Sequence, residues 1–203
     1  MGKVKGVKER LHFPLYDAFV VGKEVGKTFA ESMTDPRMIR FFVDVQNKTR
    51  LETNLQASGV LPSLNTFEAR AMRVVANMPE LKDNDTITAT SDELLAELIY
   101  NSVTTLLVGE KIMIETPTFF FPAGAGVVTG GNGKVTNHGE PDPMATFRFA
   151  EPVIIESQQN FRVEMLFPQG VPAKSTTTGH LGDVTAPLRI WVVLDGYLTR
   201  DVQ

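Results

Sequence analysis

The residues here whose types invite a chemical reading are three histidines, a Gly-Lys-Thr triplet, two glycine-rich stretches and a threonine tract. His12, His138 and His180 stand far apart and form neither a His-x-His nor a His-x-x-x-His pair, the spacings that bring two imidazoles to one metal on a strand or a helix. Glu140 and Asp142 beside His138 could offer oxygen to a calcium ion, but they are few and match no calcium-loop spacing. There is no cysteine, which excludes thiol catalysis, disulfides and thiolate metal centres. Gly26-Lys27-Thr28 looks like the end of a phosphate-binding loop, but that loop needs four residues between its glycines, and Gly22 and Gly26 enclose three. Gly124 and Gly126 are followed by Thr129 where a dinucleotide fingerprint needs its third glycine, and Val135 follows Lys134 where a phosphate loop needs Ser or Thr. Ser157, Ser175 and Thr176-Thr177-Thr178 lack the glycine elbow of an activated hydroxyl. The expectation is a chain with no catalytic, cofactor-binding or metal-binding residues.

Composition agrees with an ordinary folded domain. The chain has 203 residues, 42% hydrophobic and 22% charged, and can bury a core without staples. No apolar run approaches the ~18–20 residues that span a bilayer, so no membrane span is expected. Charge is uneven: residues 1–50 carry ten Lys+Arg against six Asp+Glu, and the rest carry ten against eighteen. Lys3, Lys5, Lys8 and Arg10 face only Glu9 in the first fourteen residues. Residues 1–14 are therefore expected as a basic arm, with two readings: a frayed, solvated terminus, or a segment that touches nucleic acid or a neighbouring subunit.

The elements that must position any site follow a period of two. Strands are expected at Leu15–Val21, Met38–Val45, Thr49–Leu55, Phe67–Met78, Val103–Val108, Lys111–Glu115, Ala145–Phe149, Val153–Glu156, Phe161–Phe167, Leu188–Leu194 and, after a turn at Asp195-Gly196, Tyr197–Arg200. Gly109-Glu110 suits a type II′ hairpin turn, since Gly leads it. Leu188–Leu194 is apolar on both faces and belongs in the centre of a sheet. One helix is expected at about 91–102, with Ser91 as cap and Leu94, Leu95, Leu98 and Ile99 on one face. Strands with turn punctuation and no crossover helices argue an all-β sandwich or barrel of about eight to ten strands. It forms a single domain, 15–203, with long loops at about 122–143 and 168–187.

Phe119-Phe120-Phe121 has two readings. Aromatic rings fill cores, and Phe is also enriched at the centres of interfaces. One or two of the three are expected inside. With Gly130, Gly131 and Asn132 of the following loop they form a possible interface segment.

Gln159-Asn160-Phe161-Arg162-Val163-Glu164, then Leu188-Arg189-Ile190-Trp191-Val192-Val193-Leu194-Asp195-Gly196 and a short tail, resemble the closing strands of jelly-roll structural proteins of bacteriophage virions. The resemblance runs from about Leu15 to Gln203 and is one of pattern, with no site residue to carry over. It implies a jelly-roll-like fold and a non-enzymatic capsid, minor capsid or cement subunit. It also implies that copies assemble as trimers or higher forms with other capsid proteins, in the host cytoplasm and then in the virion. A second function class is a carbohydrate- or ligand-binding sandwich, for which Tyr16, Tyr100, Tyr197 and Trp191 are the candidate platforms. A β-barrel enzyme ranks third; barrels of the cupin type need a His-x-His cluster that is absent.

Overall fold

A computed structural model describes residues 7–22, 26–83, 86–121, 146–173, 179–185 and 187–201, together with the backbone of 128–129 and 136–137. Its strands are β1 (Lys8–His12), β2 (Leu15–Val21), β3 (Met38–Phe41), β4 (Thr66–Asn77), β5 (Leu81–Asp83), β6 (Thr86–Ala89), β7 (Val103–Val108), β8 (Lys111–Pro117), β9 (Val128–Thr129), β10 (Thr136–Asn137), β11 (Phe147–Ile155), β12 (Phe161–Leu166) and β13 (Leu188–Asp201). The helices are α1 (Phe29–Ser32) and α2 (Ser91–Tyr100).

One sheet runs β2–β13–β4–β11, with β1 continuing the line of β2 along β13; the other runs β3–β12–β7–β8. All these pairs are antiparallel. The pairing is nested: β2 with β13, β3 with β12, β4 with β11, β7 with β8. That is a long hairpin rolled into two four-stranded layers, the jelly-roll sandwich. It does not close into a barrel. The core between the sheets is dominated by rings: Phe29, Phe41, Phe67, Phe121, Phe161 and Phe167 are fully buried.

Several elements differ from their sequence pattern. Residues 8–12, expected in a free arm, are a strand on the edge of β13. Residues 49–55 form turns rather than a strand, and Asp195-Gly196 is a bulge inside β13 rather than a turn between two strands. The reason lies in Gly196, where an added Cβ would sit 2.1 Å from the Glu68 carbonyl oxygen. The backbones of β13 and β4 approach too closely there for any other residue. The irregularity crosses the sheet: β4 slips at Arg70, and β11 loops out between Arg148 and Val153, which joins the two short strands expected at 145–156 into one.

Among the described residues two α-helices form, not one. α2 is capped by Thr90, one residue before the expected cap, and Thr90 and Glu93 exchange side-chain and backbone bonds in a capping box. Thr28 and Glu31 do the same for α1, so the Gly-Lys-Thr triplet ends in a helix cap that sends Phe29 into the core. Gly109 has φ +60 in the β7–β8 turn, as a leading glycine of a type II′ turn requires. The 168–187 stretch contributes to the core through Leu181 and Val184, both fully buried.

Residues 42–65 wrap the free edge of β2. Asp17, in mid-strand, is fully buried. Its carboxylate accepts the Phe42 N–H at 2.7 Å and two bonds from Lys48 Nζ at 2.8 and 2.9 Å. Holding that N–H turns Phe42 into left-handed backbone, φ +68, and ends β3 four residues before the alternation does. Asn54 then takes both edge groups of Tyr16: its side chain accepts the Tyr16 N–H at 3.0 Å and its own N–H donates to the Tyr16 carbonyl at 3.3 Å. On the outer face, Trp191 Nε1 donates to the Leu51 carbonyl at 2.9 Å, and the Tyr16 hydroxyl donates to the Arg50 carbonyl.

Candidate functional site: an exposed aromatic strip

The C-terminal end of α2 and the turn after β8 meet at one end of the sandwich. Pro117 closes β8 and a single 3-10 turn, Thr118–Phe120, follows. Thr118 is buried, and its hydroxyl lies 2.6 Å from that of Ser102 and 2.8 Å from that of Thr104. Ser102 also donates to the Leu98 carbonyl in the last turn of α2 at 2.6 Å. The Thr118 N–H reaches the Ser102 carbonyl at 3.0 Å. This run of hydroxyls satisfies buried polar groups among themselves and fixes the turn against the helix.

The consequence is a division of the three phenylalanines. Phe121 is 1% exposed, and its carbonyl accepts the Val74 N–H at 3.0 Å. Phe119 and Phe120 are turned outward, 46% and 48% exposed, beside Tyr100 at 69%. Ring centroids run Tyr100–Phe119 at 5.9 Å, Phe119–Phe120 at 4.7 Å, Phe120–Phe147 at 6.5 Å and Phe147–Phe149 at 6.1 Å. Phe121 anchors the row from below, 4.9 Å from Phe147. These separations lie in the favourable range for aromatic pairs. The strip is therefore held before anything binds. Taking ~200 Å² per side chain, the three outer rings leave roughly 300 Å² of apolar surface in water, the scale of the largest patch on a typical monomer.

The basic residues behave differently from a free arm. Lys3 and Lys5 lie outside the described residues, as do Gly130, Gly131 and Asn132. Lys8 is exposed at the start of β1. Arg10 is committed: it donates to Glu68 at 2.6 Å and lies 4.3 Å over the Tyr197 ring. Arg70 reaches the same carboxylate at 2.6 Å, and Arg200 pairs with Glu9. Among the described residues of this outer face, Arg10, Arg70 and Arg200 are thus each engaged by a carboxylate rather than held free.

His180 is 2.6 Å from Glu97 through Nδ1, and the other oxygen of Glu97 accepts the Leu181 N–H at 2.7 Å, which ties α2 to the 179–185 segment. His12 packs beside Tyr197 at 5.7 Å, and His138 is outside the described residues. Among the described residues no three His, Asp or Glu side chains gather as metal ligands, and no helix is long and apolar enough to cross a membrane. Clefts of about 320 and 510 Å³ flank Lys48, whose ammonium is held by Asp17. Another of about 620 Å³ opens beside the Glu9–Arg200 pair.

No protein-family model matches this chain, and no curated protein matches it in sequence.

Sequence reasoning named Phe119 and Phe120 and found their neighbourhood. It placed Tyr100 only among possible sugar platforms. The signal that joins them is Ser102, Thr104 and Thr118, small hydroxyl residues flanking a helix end and a turn.

Proposed function

We propose that this chain is a non-enzymatic structural subunit that assembles with copies of itself, of the kind that builds or cements a virion shell. The observation that carries the reading is the Tyr100–Phe119–Phe120 strip, three exposed rings held in place by a buried hydroxyl network. Pre-ordered aromatic surface is what interface anchors need, because little side-chain freedom remains to be lost on contact. The virion setting rests on the jelly-roll topology together with the resemblance of the closing strands.

The sheet edges support the same reading from the opposite side. β2 is covered by Asn54, β3 is four residues long, β8 bulges between its pairs with Leu106 and Leu107, and β11 bulges before Val153. These are the devices by which sheets avoid indiscriminate edge-to-edge pairing. Indiscriminate stacking of copies through these four edges is thereby discouraged.

The carbohydrate-binding alternative needs ring faces open to a sugar. Phe119 and Phe120 stack on each other at 27°, which covers one face of each. Trp191 and Tyr16 have their polar atoms engaged by the 42–65 segment.

The test is self-association of Phe119→Ser/Phe120→Ser by light scattering over a wide concentration range. The expected result is an apparent Kd weakened by about ten- to a hundredfold, on the order of 1.4–2.8 kcal/mol, with an unchanged melt. Association that persists at the original strength would remove the strip from the interface. Specific hits for the unaltered chain on a glycan array, lost in this variant, would move the assignment to the binding module.

A further inference from the structure

Roughly 300 Å² of apolar strip on each of two copies buries about 600 Å² in all, well below the ~1,200–2,000 Å² of a stable interface. The strip alone gives a weak pair. A self-assembling subunit needs a second source of contact, and β1 has the properties of one.

β1 and β2 are one line of chain in two pieces. His12 pairs with Tyr197 and Leu15 with Leu194, so both lie along the same side of β13, joined through Phe13-Pro14. The pieces are held very differently. β2 buries Leu15, Asp17, Ala18 and Val21. β1 buries no residue fully: Lys8, Arg10 and His12 are exposed, and Leu11 is half-buried. Besides its ladder to β13, it is held by Arg10 on Glu68, Glu9 on Arg200, and Arg10 and His12 against the Tyr197 ring. Exposed ion pairs of this type contribute ~0–1 kcal/mol each and weaken with salt. The boundary between firm and loose falls at Phe13-Pro14, where proline restricts the residue before it to extended backbone. A short connection between two strands is the setting in which an element passes to a neighbour.

We propose that β1 exchanges between copies: Lys8–His12 of one copy pairs with Tyr197–Asp201 of a second, in place of that copy's own β1. The inference rests on the self-associating reading. The exchanged pairing reproduces the native one, including the match of Glu9 and Arg10 to Arg200 and Glu68, so the occupant that fits this edge best by charge and register is another β1. Exchange loses no contact, and the strip contact then adds to a linkage already made. A lone β13 edge left by a departing β1 is a row of unpaired backbone groups, which favours refilling it.

The chain lacks cysteine, so a disulfide can report the pairing cleanly. Glu9 and Arg200 are direct cross-strand partners. Such neighbours lie ~4.5–5.5 Å apart at Cα, within the ~4.4–6.8 Å that a disulfide spans. Two differently tagged preparations of the Glu9→Cys/Arg200→Cys chain are mixed under reducing conditions, incubated at rising concentration and then oxidised. Exchange predicts covalent dimers and longer chains carrying both tags, in a fraction that grows with concentration. Bridges formed only within single chains, at every concentration, overturn it.

A second variant, Leu11→Pro in the full chain, breaks the β1 ladder at its centre: Leu11 lies opposite Leu198, two residues from Phe13, whose N–H donates to the Gly196 carbonyl, so its own N–H faces β13. It is expected to keep the melt of the sandwich and to lose at least about tenfold in apparent self-association Kd; unchanged association overturns the exchange. The two readings fail separately. A chain that never associates refutes self-assembly and exchange together. An oligomer whose disulfides are all internal refutes exchange alone.

Discussion

Replacing Asp17 tests whether the 42–65 segment is pinned by one buried charge pair. The carboxylate is wholly buried, and the Lys48 ammonium that it binds at 2.8 Å has only 12% of its side chain exposed. Asp17→Ala removes three hydrogen bonds at once. It leaves an ammonium and the Phe42 N–H in a site that water reaches poorly. Stranding one partner of a buried pair costs ~3–5 kcal/mol. For a chain of this size, each kcal/mol moves Tm by ~2–4 °C, so the variant should melt ~6–20 °C lower. The double variant Asp17→Ala/Lys48→Met separates the causes. It removes the orphaned charge and fills the space with an apolar chain, so it should recover most of the loss, because a buried ion pair is often worth little over a hydrophobic replacement. Calorimetry on the parent, Asp17→Ala, Lys48→Met and the double variant closes the cycle. A single variant within about 1 kcal/mol of the parent, or a double variant less stable than the single, would refute the argument that the cost lies in the stranded charge.

Two further perturbations follow from local geometry. Gly196→Ala would place a methyl 2.1 Å from the Glu68 carbonyl oxygen, which forces β13 and β4 apart at their shared irregularity. A loss of ~3 kcal/mol or more is expected in chemical denaturation, and a midpoint within error of the parent would mean the backbones can separate freely there. Glu31 accepts from the Thr28 backbone N–H at 2.9 Å, and that bond with the Thr28 hydroxyl holds its carboxyl below the usual carboxylate range. A lowered folded value means that the ionised form stabilises α1 at neutral pH and that this contribution disappears as the pH falls through the lowered value. The stability gap between the parent and Glu31→Gln should therefore shrink on acidification; a gap that widens reverses the sign.

The strands legible in the sequence are those with one buried face and a clean alternation. Phe161, Val163 and Met165 point inward as their period demands, and β13 lies between two strands at each end as its two apolar faces require. What the sequence concealed is long-range. Nothing near Asp17 announces that its partners are Phe42 and Lys48, so a buried ion pair looks like a polar interruption of a strand. The bulge at Gly196 looks like a turn because Asp-Gly is turn chemistry, and only the approach of Glu68 shows why the glycine is needed. The two capping boxes were visible as Thr-x-x-Glu at 28–31 and 90–93, and that pattern marks α1 as well as the true start of α2. The site was half legible. Three consecutive phenylalanines signal either core or contact, and which ring goes where depends on Thr118 meeting Ser102 and Thr104.

The same physics that makes the frame rigid also decides where it can yield. Every strand between β2 and β13 in the two main sheets buries at least one apolar side chain fully, except β8, which packs the partly buried Met113 and Ile114 against the core. Moving any of them would open the core. β1 has no fully buried residue and no side chain in the core; it is held by backbone pairing, screened charge and the contacts of His12 and Arg10 with the Tyr197 ring. Raising salt weakens its ion pairs but hardly touches the aromatic strip, whose attraction is apolar. Assembly driven by the strip alone should therefore be nearly indifferent to salt, whereas assembly that also uses β1 should respond in rate. Loosened ion pairs let strands leave their own chain sooner, so moderate salt is expected to speed the approach to the final oligomer. Light scattering followed in time after dilution distinguishes the two, and a rate unmoved between low and moderate salt would leave the strip as the sole contact.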